Sequence, residues 1–286
     1  MPELPEVETV RRGLEPILVG NAFARVEQRR PDLRFPLPKD FGARLSGRKV
    51  EALDRRAKYL LARLDDGEVL VMHLGMTGRF SIARGNGAEA RAKTPKHEHI
   101  VFHLGDGTAV RYADARRFGY MDLIPSRTLE SHKLFKGLGV EPLSPAFTPE
   151  WLASRLKGKA TPTKSALLDQ RLIAGLGNIY VCEALFAAGI SPLKLAGSLA
   201  TKTGKPTPKT EALVAAVKSV LETAIKAGGA SLRDYRRADG RLGRFQHRFK
   251  VYGREGKPCA RKSCCGTVRR IVQGGRSTFY CPTCQR

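Results

Sequence analysis

Five of the six cysteines crowd into the stretch from Cys259 to Arg286. They read Cys259-x4-Cys264-Cys265-Gly266 and then Cys281-Pro282-Thr283-Cys284. No other feature narrows the fold as much. Two thiolate pairs about 15–16 residues apart are what a tetrahedral ribbon site needs, with two knuckles joined by a hairpin. The intervening Thr267–Val272 and Ser277–Tyr280 alternate as strands, with Gly274-Gly275 at the tip. Zinc is the metal this donor set selects, and four thiolates leave no open position, so the ion holds the finger together. Cys259, Cys281 and Cys284 are unambiguous ligands. The fourth is Cys264 or Cys265, and the spacing back from Cys281 favours Cys264. Arg276 sits beside the tip, where a cation reaches a phosphate or is simply solvated. Cys182 stands apart, beside Leu185 and Phe186, and reads as a core thiol.

The chain has 286 residues, enough for one large domain or two to three small ones. Lys and Arg outnumber Asp and Glu by 51 to 27, for a net charge of +24 spread along the whole length. A folded body this positive attracts a polyanion, nucleic acid above all. No basic amphipathic stretch marks it for a membrane surface, and no run of 18 apolar residues or basic-then-apolar leader is present, so a cytoplasmic location is expected.

Val7, Val10, Leu14 and Ile17 fall at helical spacing behind Glu6, and Gly20-Asn21 ends that helix. From about 22 to 124 the pattern is of strands: Lys49–Leu53, Tyr59–Leu64, Val69–Leu74, Arg79–Ile82, His99–Leu104 and Thr108–Ala113. Such spacing favours an antiparallel sandwich or barrel. Arg84–Lys96 is polar and rich in Gly, Ala and Lys, and is expected to be a mobile loop. Pro142, Pro145 and Pro149 mark a boundary. Helical periodicity follows in Glu150–Leu156, Ser165–Leu172, Ile179–Ala188 and Thr210–Ala227, with a loop over 194–209.

Met1-Pro2-Glu3 carries chemistry of its own. Removal of Met1 leaves Pro2 as a free secondary amine. An α-amino group titrates near 7.7–8.0 against about 10.4 for Lys, which makes it roughly 300-fold richer in neutral nucleophile at pH 7. Free proline is more basic than other amino acids, which narrows that gap. Glu3 and Glu6 are placed to shuttle protons beside it.

Three further stretches mix cations, glycine and exposed apolar residues. Gly175-Leu176-Gly177-Asn178 precedes a helix. Asn178 suits its N-cap, and the turn is either a phosphate-binding loop or a tight interhelical connection. His73-Leu74-Gly75-Met76-Thr77-Gly78 puts Met76 at a loop tip, as a wedge between base steps or as core packing. Arg116-Arg117-Phe118-Gly119 offers the same choice, and Arg55-Arg56-Ala57-Lys58 opens a strand with three cations.

Together, Pro2–Glu8, Arg55–Leu61, His73–Gly78, Asp114–Gly119, Gly175–Tyr180 and the cysteine tail resemble the bacterial formamidopyrimidine-DNA glycosylase family, which repairs oxidised purines such as 8-oxoguanine. The resemblance spans the chain, and Leu4 and Val7 are similar to this branch, not to the endonuclease VIII branch. It implies an α+β multidomain fold: an N-terminal antiparallel β-sandwich over 1–134, a helix–two-turn–helix domain over 135–240, and a zinc-ribbon β-hairpin finger over 250–286, with DNA in the cleft between. It implies that Pro2 attacks C1′ of the damaged nucleotide, that Glu3 moves protons, that Lys58 assists elimination, and that Arg276 serves the δ step. Met76, Arg116 and Phe118 are implied to fill the gap left by the extruded base. His97, Arg116, Lys159, Lys164 and Asn178 are implied contacts to DNA, and the loop within 229–243 is implied to cover the flipped base. The expected partner is double-stranded DNA with oxidised bases or abasic sites, bound by a monomer that carries one structural zinc. Two departures stand out: Ala115 replaces a Pro, and the first knuckle is Cys-x4-Cys-Cys in place of Cys-x2-Cys. The competing readings are an endonuclease VIII-like glycosylase for oxidised pyrimidines and a non-catalytic zinc-containing DNA-binding protein.

Overall fold

The computed structural model describes residues 1–84, 96–232 and 235–286. The loop expected over 84–96 lies almost wholly outside the described residues, as do two positions of the 229–243 segment. The chain divides into two compact units, Met1–Lys136 with Ala227–Arg244, and Gly137–Lys226 with Phe245–Arg286.

The first unit opens with α1 (Leu4–Leu18). Its capping box is built by the two acidic residues: the Glu3 side chain accepts from the Glu6 amide, and the Glu3 amide donates to Glu6 Oε2 at 2.9 Å. Eight strands then alternate with turns to give two antiparallel four-stranded sheets. One has the order β1 (Phe23–Gln28), β6 (Glu98–Leu104), β7 (Ala109–Ala113), β5 (Arg79–Ala83). The other runs β2 (Val50–Arg56), β3 (Tyr59–Leu64), β4 (Glu68–His73), β8 (Tyr120–Pro125). A short helix, α2 (Phe41–Leu45), covers β1. Val7, Val10 and Leu14 of α1 share one apolar cluster with Phe23, Phe102 and Tyr112 of one sheet and Leu60, Leu70 and Met72 of the other. That cluster is the expected sandwich core. The six strands read from the sequence are all present, and β1 and β8 complete the sheets.

One buried carboxylate ties two connections of this sandwich together. Asp114 is fully buried at the end of β7. Its Oδ1 accepts from Thr77 Oγ1 at 2.5 Å, and its Oδ2 accepts from the Gly119 amide at 2.7 Å and from the Tyr112 hydroxyl at 3.3 Å. Its carbonyl accepts from His99 Nε2 at 2.8 Å, and Thr77 Oγ1 in turn accepts from the Arg116 amide at 3.0 Å. The 74–78 and 114–119 loops are thereby locked to one another. Their approach is so close that a Cβ on Gly75, which has φ +59°, would lie 2.3 Å from the Phe118 backbone.

In the second unit, α3 (Pro149–Leu156) is N-capped by Thr148, whose Oγ1 accepts from the Trp151 amide at 3.1 Å. Then come α4 (Thr163–Leu167), α5 (Asn178–Ala188) and α6 (Pro208–Lys226). The expected helix over Ser165–Leu172 stops at Leu167. Beyond it, side chains compete for the backbone: Asp169 Oδ1 accepts from the Arg171 amide at 2.9 Å, and Gln170 bonds both the Leu176 carbonyl and the Gly175 amide. Helix α5 is buried on nearly every side, Cys182 included, at 1% exposure. The finger hairpin, β9 (Arg269–Gln273) and β10 (Arg276–Tyr280), turns at Gly274-Gly275 as expected.

Asp114→Ala leaves the Gly119 amide and the Thr77 hydroxyl buried without an acceptor. At about 1–3 kcal/mol for each orphaned group, it should cost about 3 kcal/mol of stability, with Asp114→Asn costing less. Urea denaturation of the two variants measures this.

Candidate functional site

The sulphurs of Cys259, Cys264, Cys281 and Cys284 all lie within 4.8 Å of one another. Cys259 and Cys284, and likewise Cys264 and Cys281, stand 3.7 Å apart. Four sulphurs at about 2.3 Å from a common centre in tetrahedral geometry are separated by about 3.8 Å, so the donor set fits one zinc ion. The first knuckle shields both of its ligand sulphurs with the amide two residues on, Arg261 to Cys259 at 3.5 Å and Gly266 to Cys264 at 3.4 Å. This resolves the open choice: Cys264 joins the cluster, and Cys265 is exposed. The finger is fastened to α5 by polar contacts. Arg261 donates to the Phe186 and Ala187 carbonyls at the helix C-terminus, and the carboxylate of Glu183 accepts from the amides of Lys250, Val251 and Tyr252.

In the same unit, two expected DNA contacts converge on one carbonyl next to a third expected site residue, Arg276. Ser277 follows Arg276 on β10. Its oxygen accepts from Asn178 Nδ2 at 2.9 Å and from Lys164 Nζ at 3.3 Å. Lys164 also donates to Thr278 Oγ1 at 2.7 Å. Two expectations need correction here. Asn178 is not the N-cap of α5; Gly177 is, and Asn178 turns its amide to the hairpin. Lys164 is fully buried, so its ammonium is committed to the finger strand and not to a surface phosphate. Arg276 itself is exposed, and so is Lys159, which stands in a separate turn.

In the first unit, Pro2 is buried and Glu3 is 4% exposed at the start of α1. Glu6 does not fit the expected proton shuttle. Its Oε2 is taken by the Glu3 amide and its Oε1 by the Ala230 amide at 2.8 Å, while Tyr235 Oη donates to the Glu6 carbonyl at 3.3 Å. Ala230 and Tyr235 are thus bonded to the first turn of α1. Lys58, at 9% exposure, lies in the two-residue turn that joins β2 to β3.

Met76 and Phe118 are 36% and 44% exposed, so neither is the core residue that packing alone would make it. The Arg116 guanidinium lies 4.7 Å from the centre of the Phe118 ring. Met76, Arg116 and Phe118 are carried on the loops that the Asp114 tie joins, and the carbonyl of His97, exposed with φ +68°, accepts from the Asp114 amide.

The residue that the sequence reading passed over is His73, at the end of β4. Its Nδ1 accepts from the Gly75 amide at 3.0 Å and its ring lies 4.9 Å from that of Tyr59. Burial, with the charges of Lys58 and Arg34 nearby, pulls its pKa down to about 4. The ring is therefore neutral at physiological pH with its proton on Nε2. The signal was present: a His directly before Leu-Gly-Met, on a strand paired with the one that follows Lys58.

Replacing Cys281 with Ser should release the zinc, whereas Cys265→Ser should keep one ion per chain, as native mass spectrometry reads directly. His73 gives a pH test. Its folded pKa lies below the unfolded value of about 6.5, so its contribution is complete above that value and is lost as pH falls toward 4. The loss amounts to at most about 3 kcal/mol. Stability measured by urea across this window should fall more steeply for wild type than for His73→Gln, and equal slopes would refute the assignment.

Three family models cover most of the sequence. The formamidopyrimidine-DNA glycosylase N-terminal domain matches residues 1–121, the H2TH domain of the same enzymes matches 138–236, and the zinc finger found in FPG and IleRS matches 256–286. The formamidopyrimidine-DNA glycosylase of Beijerinckia indica subsp. indica is 59% identical over the full length of both chains, and that of Chelativorans sp. is 57% identical over the full length of both. Among solved structures, a Lactococcus lactis FPG variant bound to DNA containing Fapy-dG matches with a TM-score of 0.86 at 35% identity, covering 100% of each chain. The Lactococcus lactis enzyme with an abasic site in its DNA also matches at a TM-score of 0.86, with 34% identity and the same coverage. With the four-thiolate finger, the paired loops and the acidic first turn all carried on a chain that matches its relatives from end to end, the protein belongs to the formamidopyrimidine-DNA glycosylase family.

Proposed function

We propose that the chain is a bifunctional base-excision repair enzyme, a DNA glycosylase for oxidised purines and an AP lyase. The observation that carries this reading is Pro2, buried one residue before the capping box in which the Glu3 carboxylate accepts from the Glu6 amide. Once Met1 is removed, the Pro2 nitrogen attacks C1′ and the C1′–base bond breaks. The departing base takes a proton, with Glu3 as its relay. The nitrogen lone pair opens the sugar ring as an iminium, and Glu3 returns a proton to the ring oxygen. The positive nitrogen acidifies C2′; loss of a C2′ proton expels the 3′ phosphate, and a second elimination expels the 5′ phosphate. Lys58, beside neutral His73, neutralises phosphate charge during these steps, and Arg276 does so for the second.

The damaged nucleotide must leave the stack for C1′ to be reached. Met76 and Phe118 fill the space with apolar and aromatic surface, and Arg116 offers donors to the orphaned partner base. His97 and Lys159 meet phosphate. Lys164 and Asn178 act through the hairpin, by fixing Ser277 and hence Arg276. When zinc is bound by Cys259, Cys264, Cys281 and Cys284 it locks this hairpin and takes no part in bond making. The same proposal divides the labour among segments 1–134, 135–240 and 250–286, and places a monomeric enzyme on DNA in the cytoplasm and nucleoid. Among the described residues no helix is long and apolar enough to cross a membrane.

Borohydride reduction of the protein mixed with an 8-oxoguanine:C duplex should give a covalent adduct, and Pro2→Gly should reduce its yield at least a hundredfold. Trapping by Pro2→Gly at the wild-type level would end the Pro2 assignment. A thymine glycol duplex in parallel separates this reading from the oxidised-pyrimidine branch, because the latter predicts the faster cleavage there.

A further inference from the structure

The loop between β1 and α2 carries an exposed aromatic ring that the mechanism leaves without work. Leu33 and Leu37 are buried in the sandwich core, at 5% and 8% exposure, and pin the loop at two points. Between them, the Leu33 amide donates to the Phe35 carbonyl at 3.0 Å and the Leu37 amide to the Pro31 carbonyl at 2.9 Å. At the tip, Phe35 stands 54% exposed, with Arg34 and Pro36 also in solvent. A ring held out into water by a loop this constrained is presented, not left over from a floppy segment.

Its surroundings say to what. The Arg34 amide donates to the Gly119 carbonyl at 3.0 Å, so the loop is fastened to the turn that carries Arg116 and Phe118. Phe35 meets Tyr120 edge-on at 5.8 Å, and the Arg34 guanidinium lies 5.5 Å from the Phe35 ring centre. The Arg116–Phe118 pairing is thus repeated on the neighbouring loop. Arg34 also bears on His73 and Tyr59 electrostatically, which places it beside the Lys58 turn. Arg34 flanks the ring and Arg30 lies on the same loop, while the loop's Asp32 is already paired with Arg30 at 3.1 Å and faces Arg117 of the neighbouring turn at 3.8 Å. A positive rim around an aromatic face suits a polyanion that exposes π-faces, and not an apolar protein surface.

We propose that Phe35 and Arg34 form a second aromatic–cation platform for the substrate DNA, taking the nucleotide next to the opened base pair by stacking while Arg34 meets its phosphate. This rests on the proposed role of Arg116 and Phe118 at the opened pair.

The test uses the full-length zinc-loaded protein and a duplex with one central tetrahydrofuran residue, with binding read by fluorescence anisotropy at fixed salt. Phe35→Ala should weaken binding by about 5- to 100-fold, the range that stacking of one base on an aromatic ring provides. Phe35→Trp should stay within about threefold of wild type. Arg34→Gln should weaken binding and lower the slope of log affinity against log salt by about 0.9, one phosphate contact. If Phe35→Ala unfolds, the Trp and Gln variants decide the matter alone, because a purely structural ring would leave the salt slope unmoved. Binding by Phe35→Ala within twofold of wild type, with wild type still trapped by borohydride, overturns the platform and spares the proposed activity. Failure of wild type to trap removes both.

Discussion

The Asp114 carboxylate is the interaction on which the first unit's working surface depends. Met76 and Phe118 belong to loops 42 positions apart, and neither loop has an apolar reason to project its large side chain into water. A buried acid with each oxygen engaged supplies the reason. Each bond to Asp114 is formed by a group that belongs to a different turn, so the carboxylate sets the relative height of the two tips. Buried charge is expensive unless it is fully satisfied, and Asp114 is satisfied by an alcohol, an amide and a phenol at once. The cost is met locally, and the return is a preorganised pair of tips that need no reordering when DNA arrives.

The second unit solves a different problem. A finger of some thirty residues has too little apolar surface to hold itself, a general feature of small modules. Its core is a small cluster in which Val251, Val268 and Cys281 lean on Cys182 and Phe186 of α5. Metal supplies one compensation. Polar docking supplies the rest, through Glu183 in the middle of α5, Arg261 at its C-terminal carbonyls, Asn178 at its start, and Lys164 from α4. These contacts span α5 from first turn to last, so the hairpin tip with Arg276 is positioned by a rigid helix and not by its own flexible turn.

What was legible in the sequence depended on short range. Alternation within strands, helical spacing in Val7–Ile17, the glycine tip of the finger and the ligand residues around Cys281 are all read within a few positions. Cys264 was favoured over Cys265 by spacing, and the amide two residues on shows why: the knuckle needs Gly266 at the second place after its ligand, not the first. What was not legible depends on pairing across the chain. Lys164 reads as surface charge because lysine is almost always solvated, and only the approach of Thr278, 114 residues away, reveals it as an internal brace. Glu6 reads as an acid beside a nucleophile, but Ala230, 224 residues away, claims one of its oxygens. Asn178 reads as a cap by type, yet the chain caps with Gly177 because the amide is needed at Ser277.

The proposed mechanism also gives a reason for proline, and not lysine, at position 2. A primary amine condenses with C1′ to an imine that is an electron sink only while it carries a proton. A secondary amine has no proton left to lose, so its iminium is charged at every pH and C2′ stays acidic until elimination is complete. Position also matters. From the cap onward, amides are spent on the helix and its capping box, as the Glu3 amide is on Glu6 and the Val7 amide on the Glu3 carbonyl. The position before the cap lies outside the helix, and there Pro2 is ring-constrained and buried, just ahead of the first turn to which Ala230 and Tyr235 bond. The acidic residues that make the sequence look like a catalytic cluster are therefore split in role: both belong to the capping box, but Glu6 is also bonded to Ala230, and the proposed proton relay falls to Glu3.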